Sequence, residues 1–108
     1  MFAQNGYEFC GIDQKGFGKS EGTRGRVEGG ISAVANQIQT FNEEYCKQYD
    51  TSGDTPKFLL GHSMGGLFST LLAANQDTSN LKYDGICVAA PYFELYDKEM
   101  LTKLKAMV

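Results

Sequence analysis

The stretch KFLLGHSMGG, Lys57 to Gly66, decides the fold class of this 108-residue chain. The apolar run FLL is ended by Gly61, and from Ser63 to Asn75 apolar residues recur at helical spacing. This pattern predicts a buried strand, Phe58 to Gly61, followed by an amphipathic helix. The G-x-S-x-G motif therefore falls at a predicted strand-to-helix turn, which is the context that a nucleophile elbow requires.

Ser63 is the candidate nucleophile of this elbow. A strained turn exposes the serine hydroxyl, and the small Gly61, Gly65 and Gly66 permit close approach of strand and helix. The helix directs its positive N-terminal end at a developing oxyanion, so we predict the backbone N–H of Met64 as one oxyanion donor. An accidental glycine-rich turn is the alternative, and the strand-to-helix context disfavours it.

The base of a serine nucleophile is normally a histidine within hydrogen-bond distance. The single histidine of the chain is His62, directly before Ser63. Adjacent side chains at a sharp turn diverge, so the imidazole is poorly placed to take the hydroxyl proton. We therefore predict a packing or turn-shaping role for His62 rather than a role as general base.

The rest of the chain alternates between strand and helix patterns. We predict strands at Tyr7–Ile12 and within Tyr83–Pro91, and helices at Ile31–Tyr49 and Asp97–Val108. The apolar stripe of the helix at Ile31–Tyr49 consists of Ile31, Val34, Ile38, Phe41, Tyr45 and Tyr49. The apolar stripe of the helix after Ser63 consists of Met64, Leu67, Phe68, Leu71 and Leu72. Strands that alternate with helices predict an α/β fold, with parallel strands and crossover helices.

Composition excludes several classes of function. The net charge of −3 is spread over charges of both signs, which leaves no basic stripe for nucleic acid. No apolar run approaches the ~20 residues of a membrane span, so we predict no transmembrane segment. The expected location is the cytoplasm, and peripheral association with membranes is the other location considered.

The cysteines and a glycine-rich loop raise two weaker alternatives. Cys10, Cys46 and Cys87 are odd in number and far apart, and Cys10 and Cys87 lie in strand-like runs, so we predict buried free thiols rather than a zinc site with His62. The segment DQKGFGKS, from Asp13 to Ser20, resembles a phosphate loop, but it lacks the first glycine. We predict a structural loop, no cofactor and no metal.

The chain resembles the monoacylglycerol lipase and lysophospholipase-like branch of the α/β-hydrolases, which is also classed with the serine aminopeptidase-like hydrolases. GIDQKGFGKSEGTRGRV, GHSMGG and YDGICVAAP occur in the order of that family, roughly from Gly6 to Pro91. Ser63 matches the nucleophile and Met64 the oxyanion donor. The family's D-x-R-G-x-G-x-S segment matches Asp13, Gly16, Gly18 and Ser20, with Lys15 at the usual arginine and Phe17 where histidine is common.

The resemblance implies that residues 1–108 form an incomplete α/β-hydrolase domain, from the fourth strand to the start of the cap. In this fold the triad runs Ser, Asp or Glu, then His along the chain, and the second oxyanion donor follows the third strand. We expect these elements outside the chain. Glu94 and Asp97 are weak candidates for the acid, because no histidine remains for them to orient.

The missing third strand would lie between Tyr7–Ile12 and Phe58–Gly61 in the family's sheet. We therefore expect a gap in the sheet and association through exposed strand edges. The lineage implies a lipid-like ester substrate, while the isolated chain is predicted to be inactive. A non-catalytic remnant or interaction subunit is the alternative. The stripe of Met100, Leu101, Leu104 and Met107 indicates either the start of a cap over the acyl site or ordinary core.

Overall fold

The computed structural model describes residues 1–92 and Ala106. The elements, in chain order, are α1 (Gly30–Tyr49), β1 (Phe58–His62), α2 (Met64–Ala74) and β2 (Gly85–Ala89). Short 3-10 helices occur at Ala3–Asn5 and Gln76–Thr78. The predicted α/β alternation is confirmed for these elements. The predicted helix Asp97–Val108 lies outside the described residues, apart from Ala106, which is helical.

The two strands form a parallel sheet. Phe58 lies opposite Gly85 and His62 lies opposite Ala89, and α2 connects the two strands. A parallel pair needs such a crossover connection, because the chain must return to the same end of the sheet. The carboxyl ends of both strands therefore meet directly beside Ser63.

The predicted strand over Tyr7–Ile12 is wrong. These residues have no regular secondary structure, and Tyr7 and Phe9 are 56% and 66% exposed. A strand is stabilised by ladder hydrogen bonds to a neighbouring strand, and in the described part of the chain no segment pairs with this run. Among the described residues the sheet consequently has two strands rather than the predicted three.

The core lies between the two helices and the sheet. Its buried members are Val34, Ala35, Phe68 and Leu72, with Val27, Ile38, Leu59 and Tyr83 packed against them. The predicted stripe of α1 is thus confirmed in its middle, but Ile31 and Tyr49 at its ends are exposed. Met64, at the start of the predicted α2 stripe, is also exposed.

One face of the sheet is uncovered in the described part of the chain. Successive side chains of a strand alternate between faces, so Phe58 and Leu60 point away from α2, and they are 61% and 54% exposed. Cys87 pairs with Leu60 and is exposed too. The prediction that Cys10 and Cys87 are buried is wrong, because one lies in the irregular N-terminal segment and the other on this bare face.

The opposite ends of the strands are held by a polar cluster. The ammonium of Lys57 contacts the Asp50 carboxylate at 2.7 Å, and the side chains are only 16% and 14% exposed. Asp84 accepts the Lys57 backbone N–H at 2.7 Å and donates its own N–H to the Lys57 carbonyl at 2.7 Å. These contacts link the C-terminal end of α1 to the start of both strands.

Candidate active site

Ser63 occupies the predicted turn between β1 and α2. Its backbone angles, φ 56° and ψ −118°, are strained for a residue with a side chain. In the described part of the chain only one other non-glycine residue, Ala90, has positive φ. Ser63 is exposed, as a nucleophile that must meet a substrate requires. The sequence-based placement of Ser63 at a sharp strand-to-helix turn is confirmed.

Two of the three predicted glycines are needed for the close approach. A Cβ added at Gly61 would lie 2.3 Å from the Gly65 carbonyl oxygen and 2.5 Å from Ser69 Oγ. At Gly66 it would lie 2.9 Å from Pro91 Cβ. At Gly65 it would meet open space among the described residues. The prediction for Gly65 is therefore wrong, because a Cβ at this position would point into open space, although the Gly65 carbonyl itself lies against Gly61.

The backbone N–H and the carbonyl of Ser63 are both hydrogen-bonded. The Ser63 N–H donates to the Ala89 carbonyl at 3.0 Å. The Ser63 carbonyl accepts the N–H groups of Gly66 and Tyr92, each at 3.0 Å. Sequence reasoning missed the contribution of residues 89–92, because alanine and tyrosine carry no motif for a backbone contact. Pro91, which ends the strand pattern, was the only local indication of a change in direction.

Met64 is the first residue of α2. The first N–H groups of a helix have no intrahelical acceptor, and the helix dipole adds positive potential at the same place. A backbone donor beside an exposed serine hydroxyl is suited to stabilise a developing oxyanion. The position of Met64 fits the predicted donor, and its catalytic role stays a prediction.

His62 is the last residue of β1 and is exposed. Within residues 1–92 no hydrogen bond joins its ring to the Ser63 hydroxyl. Its exposure contradicts the predicted packing role, since a packing residue would be buried. The turn-shaping role remains a prediction. The two weak candidates for a triad acid, Glu94 and Asp97, lie outside the described residues.

Across 1–92 and Ala106 no group of His, Cys, Asp and Glu side chains is arranged to hold a metal ion. The cysteines are free thiols. Partial desolvation raises the pKa of Cys46, and also that of Cys10 although its side chain is exposed, so both thiols are weakly ionised near neutral pH. No described helix is long and apolar enough to cross a membrane.

The glycine-rich loop after Asp13 is held by hydrogen bonds between its own residues. The Asp13 carboxylate accepts the Lys19 N–H at 3.0 Å, and the Arg24 guanidinium donates to the carbonyls of Gly18, Ser20 and Gly22. The next helix begins only at Gly30. A phosphate loop would open directly into a helix with its N–H groups free. The structural interpretation is therefore confirmed.

Comparison with known proteins agrees with this geometry. The family model described as serine aminopeptidase, S33, matches residues 1–108. The chain belongs to this family. The S33 family is an α/β-hydrolase family, which accounts for the parallel strands and for the turn at Ser63. No solved structure matches the S33-family chain significantly.

Named relatives of the S33-family chain are lipases and esterases. The chain is 34% identical to a monoglyceride lipase from Mus musculus over 99 residues, and 36% identical to one from Rattus norvegicus over 99 residues. Each alignment covers 88% of the chain and 29% of the relative. A caffeoylshikimate esterase from Arabidopsis thaliana is 30% identical over 92 residues, 85% of the chain and 26% of the relative. The chain thus spans under a third of these relatives.

Proposed function

We propose that the chain carries the nucleophile of a carboxylic ester hydrolase that acts on a monoacylglycerol-like lipid ester. The observation that carries this proposal is the strained, exposed Ser63 between β1 and the N-terminus of α2. Membership of the S33 family and the names of the relatives support an ester as substrate. Two of the three relatives are named for a monoglyceride, which favours a lipid ester over an aromatic one.

The chemistry has two stages. The Ser63 hydroxyl oxygen attacks the ester carbonyl and its proton passes to a base, while the Met64 N–H donates to the oxyanion. Collapse of the tetrahedral intermediate breaks the ester bond, and the departing alcohol takes the proton. Water then attacks the acyl-enzyme by the same route, releases the carboxylic acid and restores Ser63.

The chain supplies only part of this machinery. Its single histidine precedes Ser63 and makes no described hydrogen bond to it. We infer that residues 1–108 are the central part of a longer α/β-hydrolase domain, whose other segments supply the base, the acid and the second oxyanion donor. The fraction of the relatives that the chain covers supports this inference.

A fluorophosphonate probe tests the proposal, because it reacts only with an activated serine. The comparison uses the 108-residue chain and an extended protein, defined as this chain with the segments encoded on either side of it. We expect labelling at Ser63 in the extended protein and none in its Ser63→Ala variant. Far-ultraviolet circular dichroism serves as the control for intact folding, because Ser63→Ala should leave the signal of α1 and α2 unchanged.

An unlabelled Ser63 in a folded extended protein would contradict the proposal. It would instead support a non-catalytic subunit that keeps the fold. Labelling that survives Ser63→Ala would place the reactive group elsewhere.

A further inference from the structure

We propose that Ala90–Tyr92 is a positioning segment that aims the Met64 N–H at the oxyanion. The inference rests on the proposed catalytic role of Ser63. It starts from the hydrogen bond that the Tyr92 N–H donates to the Ser63 carbonyl at 3.0 Å. That bond is not part of either helix or of the two-stranded sheet.

The geometry of one peptide unit links this bond to the oxyanion donor. The Ser63 carbonyl and the Met64 N–H belong to the same peptide unit, which is planar and in its trans form points the two groups in opposite directions. Fixing the carbonyl oxygen therefore fixes the direction of the N–H. The carbonyl is held from two sides, by Gly66 within the turn and by Tyr92 from beyond β2.

Ala90 is the residue that brings Tyr92 into place. It has φ 45°, although alanine has no conformational reason to adopt positive φ. Strained residues persist only where their surroundings over-determine them. Here Ala89, on one side, accepts the Ser63 N–H, and Pro91, on the other, lies so close to Gly66 that an added Cβ would be 2.9 Å from Pro91 Cβ. The turn is thus fixed at both ends against the elbow.

The bond also affects the strength of the donor. A carbonyl that accepts hydrogen bonds is polarised, and the polarisation extends through the peptide unit to its N–H. With two donors on the Ser63 carbonyl, Met64 is a better donor to a developing oxyanion. Direction and polarisation both favour the transition state rather than the bound ester, so the segment should affect kcat and not KM.

Nuclear magnetic resonance tests the bond without relying on turnover. In the ¹⁵N,¹³C-labelled chain we expect a scalar coupling across the hydrogen bond between Tyr92 nitrogen and Ser63 carbonyl carbon. The matched control is the coupling between Ser63 nitrogen and Ala89 carbonyl carbon, because that bond has the same length of 3.0 Å. Detection of the control coupling without the Tyr92 coupling would overturn the inference.

A pair of variants at one position tests the consequence for Met64. Tyr92→Pro removes the N–H, whereas Tyr92→Ala removes the side chain and keeps it. We expect Tyr92→Pro to shift the Met64 amide resonance and Tyr92→Ala to leave it in place. Equal shifts in both variants, or none in a folded Tyr92→Pro, would overturn the inference. If Tyr92→Pro does not fold, Ala90→Val replaces it, because a β-branched residue disfavours the positive φ of this position more strongly than alanine does. We then expect the Tyr92 coupling to weaken, and an unchanged coupling would overturn the inference.

Kinetics of the extended protein separate this inference from the proposed function. We expect Tyr92→Pro to lower kcat about tenfold at unchanged KM, a fraction of the loss that follows removal of a whole oxyanion donor. Equal kcat in wild type and Tyr92→Pro would overturn the positioning role. An inactive wild-type extended protein would instead contradict the proposed function, and the Tyr92 coupling would still decide whether the segment holds the Ser63 peptide.

Discussion

The backbone N–H of Ser63 donates a hydrogen bond of 3.0 Å to the carbonyl of Ala89, which fastens the nucleophile turn to the last residue of β2. The position of Ser63 is consequently set by two strands and not by the turn alone. A substitution at the carboxyl end of either strand should therefore change the position of the serine. The glycines that let α2 approach the sheet are the first place to test this dependence.

Gly61→Ala should destabilise the fold by about 1–3 kcal/mol, the range for overpacking a tight contact. The added Cβ would lie 2.3 Å from the Gly65 carbonyl oxygen, so α2 would have to move away from β1. Gly65→Ala is the matched control, because its Cβ would meet open space among the described residues and alanine favours a helix. Urea denaturation measures both, and equal effects would contradict the packing described for this turn.

Ser63→Gly should be more stable than Ser63→Ala by about 0.5–1 kcal/mol. Glycine relieves the strain of φ 56°, and its greater freedom in the unfolded chain offsets part of that gain. Alanine keeps the strain and removes only the hydroxyl. The difference between the two free energies of unfolding in urea measures the relief of strain less this offset. A glycine variant no more stable than the alanine variant would show that the serine is not strained.

Ionisation of Asp50 should make the stability of the fold depend on pH in the acid range. The hydrogen bond from Lys57 holds the pKa of the Asp50 carboxyl well below its usual range. A carboxyl with a lowered folded-state pKa stabilises the fold above its unfolded pKa, about pH 4, and loses that contribution as the pH falls toward its folded pKa. Asp50→Asn should therefore flatten the loss of stability below about pH 4, as followed by urea midpoints across pH.

A second ion pair on α1 serves as the control for Asp50. Lys47 contacts Glu44 at 2.8 Å, but their side chains are 69% and 65% exposed, so solvent screens the pair. Glu44→Gln should leave the acid dependence nearly unchanged. An equal effect of Glu44→Gln and Asp50→Asn would contradict the assignment of the acid dependence to the largely buried pair of Asp50 and Lys57.

The uncovered face and edges of the sheet should make copies of the 108-residue chain associate with one another. Each strand of a two-stranded sheet has one unpaired edge, and Phe58 and Leu60 add exposed apolar surface. We expect concentration-dependent association in sedimentation velocity, reduced by Leu60→Lys. Ile31→Lys, on α1 at 40% exposure, is the control and should not reduce it. A monomer with one sharp thermal transition would contradict this account of the sheet.

Local patterns predicted the elements whose partners are near in sequence. The spacing of apolar residues gave α1 within one residue of Gly30–Tyr49, and the G-x-S-x-G motif placed the turn at Ser63. The strand over Tyr7–Ile12 failed because a ladder needs a neighbour, which no local pattern supplies. Burial of Cys87 failed for a similar reason, since it depends on what covers the sheet face.

Sequence patterns could not predict the backbone geometry that supports Ser63. Alanine rarely adopts positive φ, so nothing in the sequence around Ala90 indicated a residue in the left-handed conformation. The bond from Tyr92 to Ser63 joins backbone atoms, which every residue except proline provides in the same form. Side-chain identity therefore predicted the nucleophile but not the segment that holds it.

Hydrolysis of a monoacylglycerol tests most directly the claim that Ser63 is a nucleophile whose partners lie outside this chain. Loss of the histidine from a serine triad lowers turnover on the order of 10⁶-fold, and loss of one oxyanion donor alone lowers it roughly 10²–10³-fold. We predict that the 108-residue chain is no faster than its Ser63→Ala variant, and that the extended protein is active and loses its activity on Ser63→Ala. Turnover by the 108-residue chain that is abolished by Ser63→Ala would contradict the claim, and its loss on His62→Ala as well would make His62 the base.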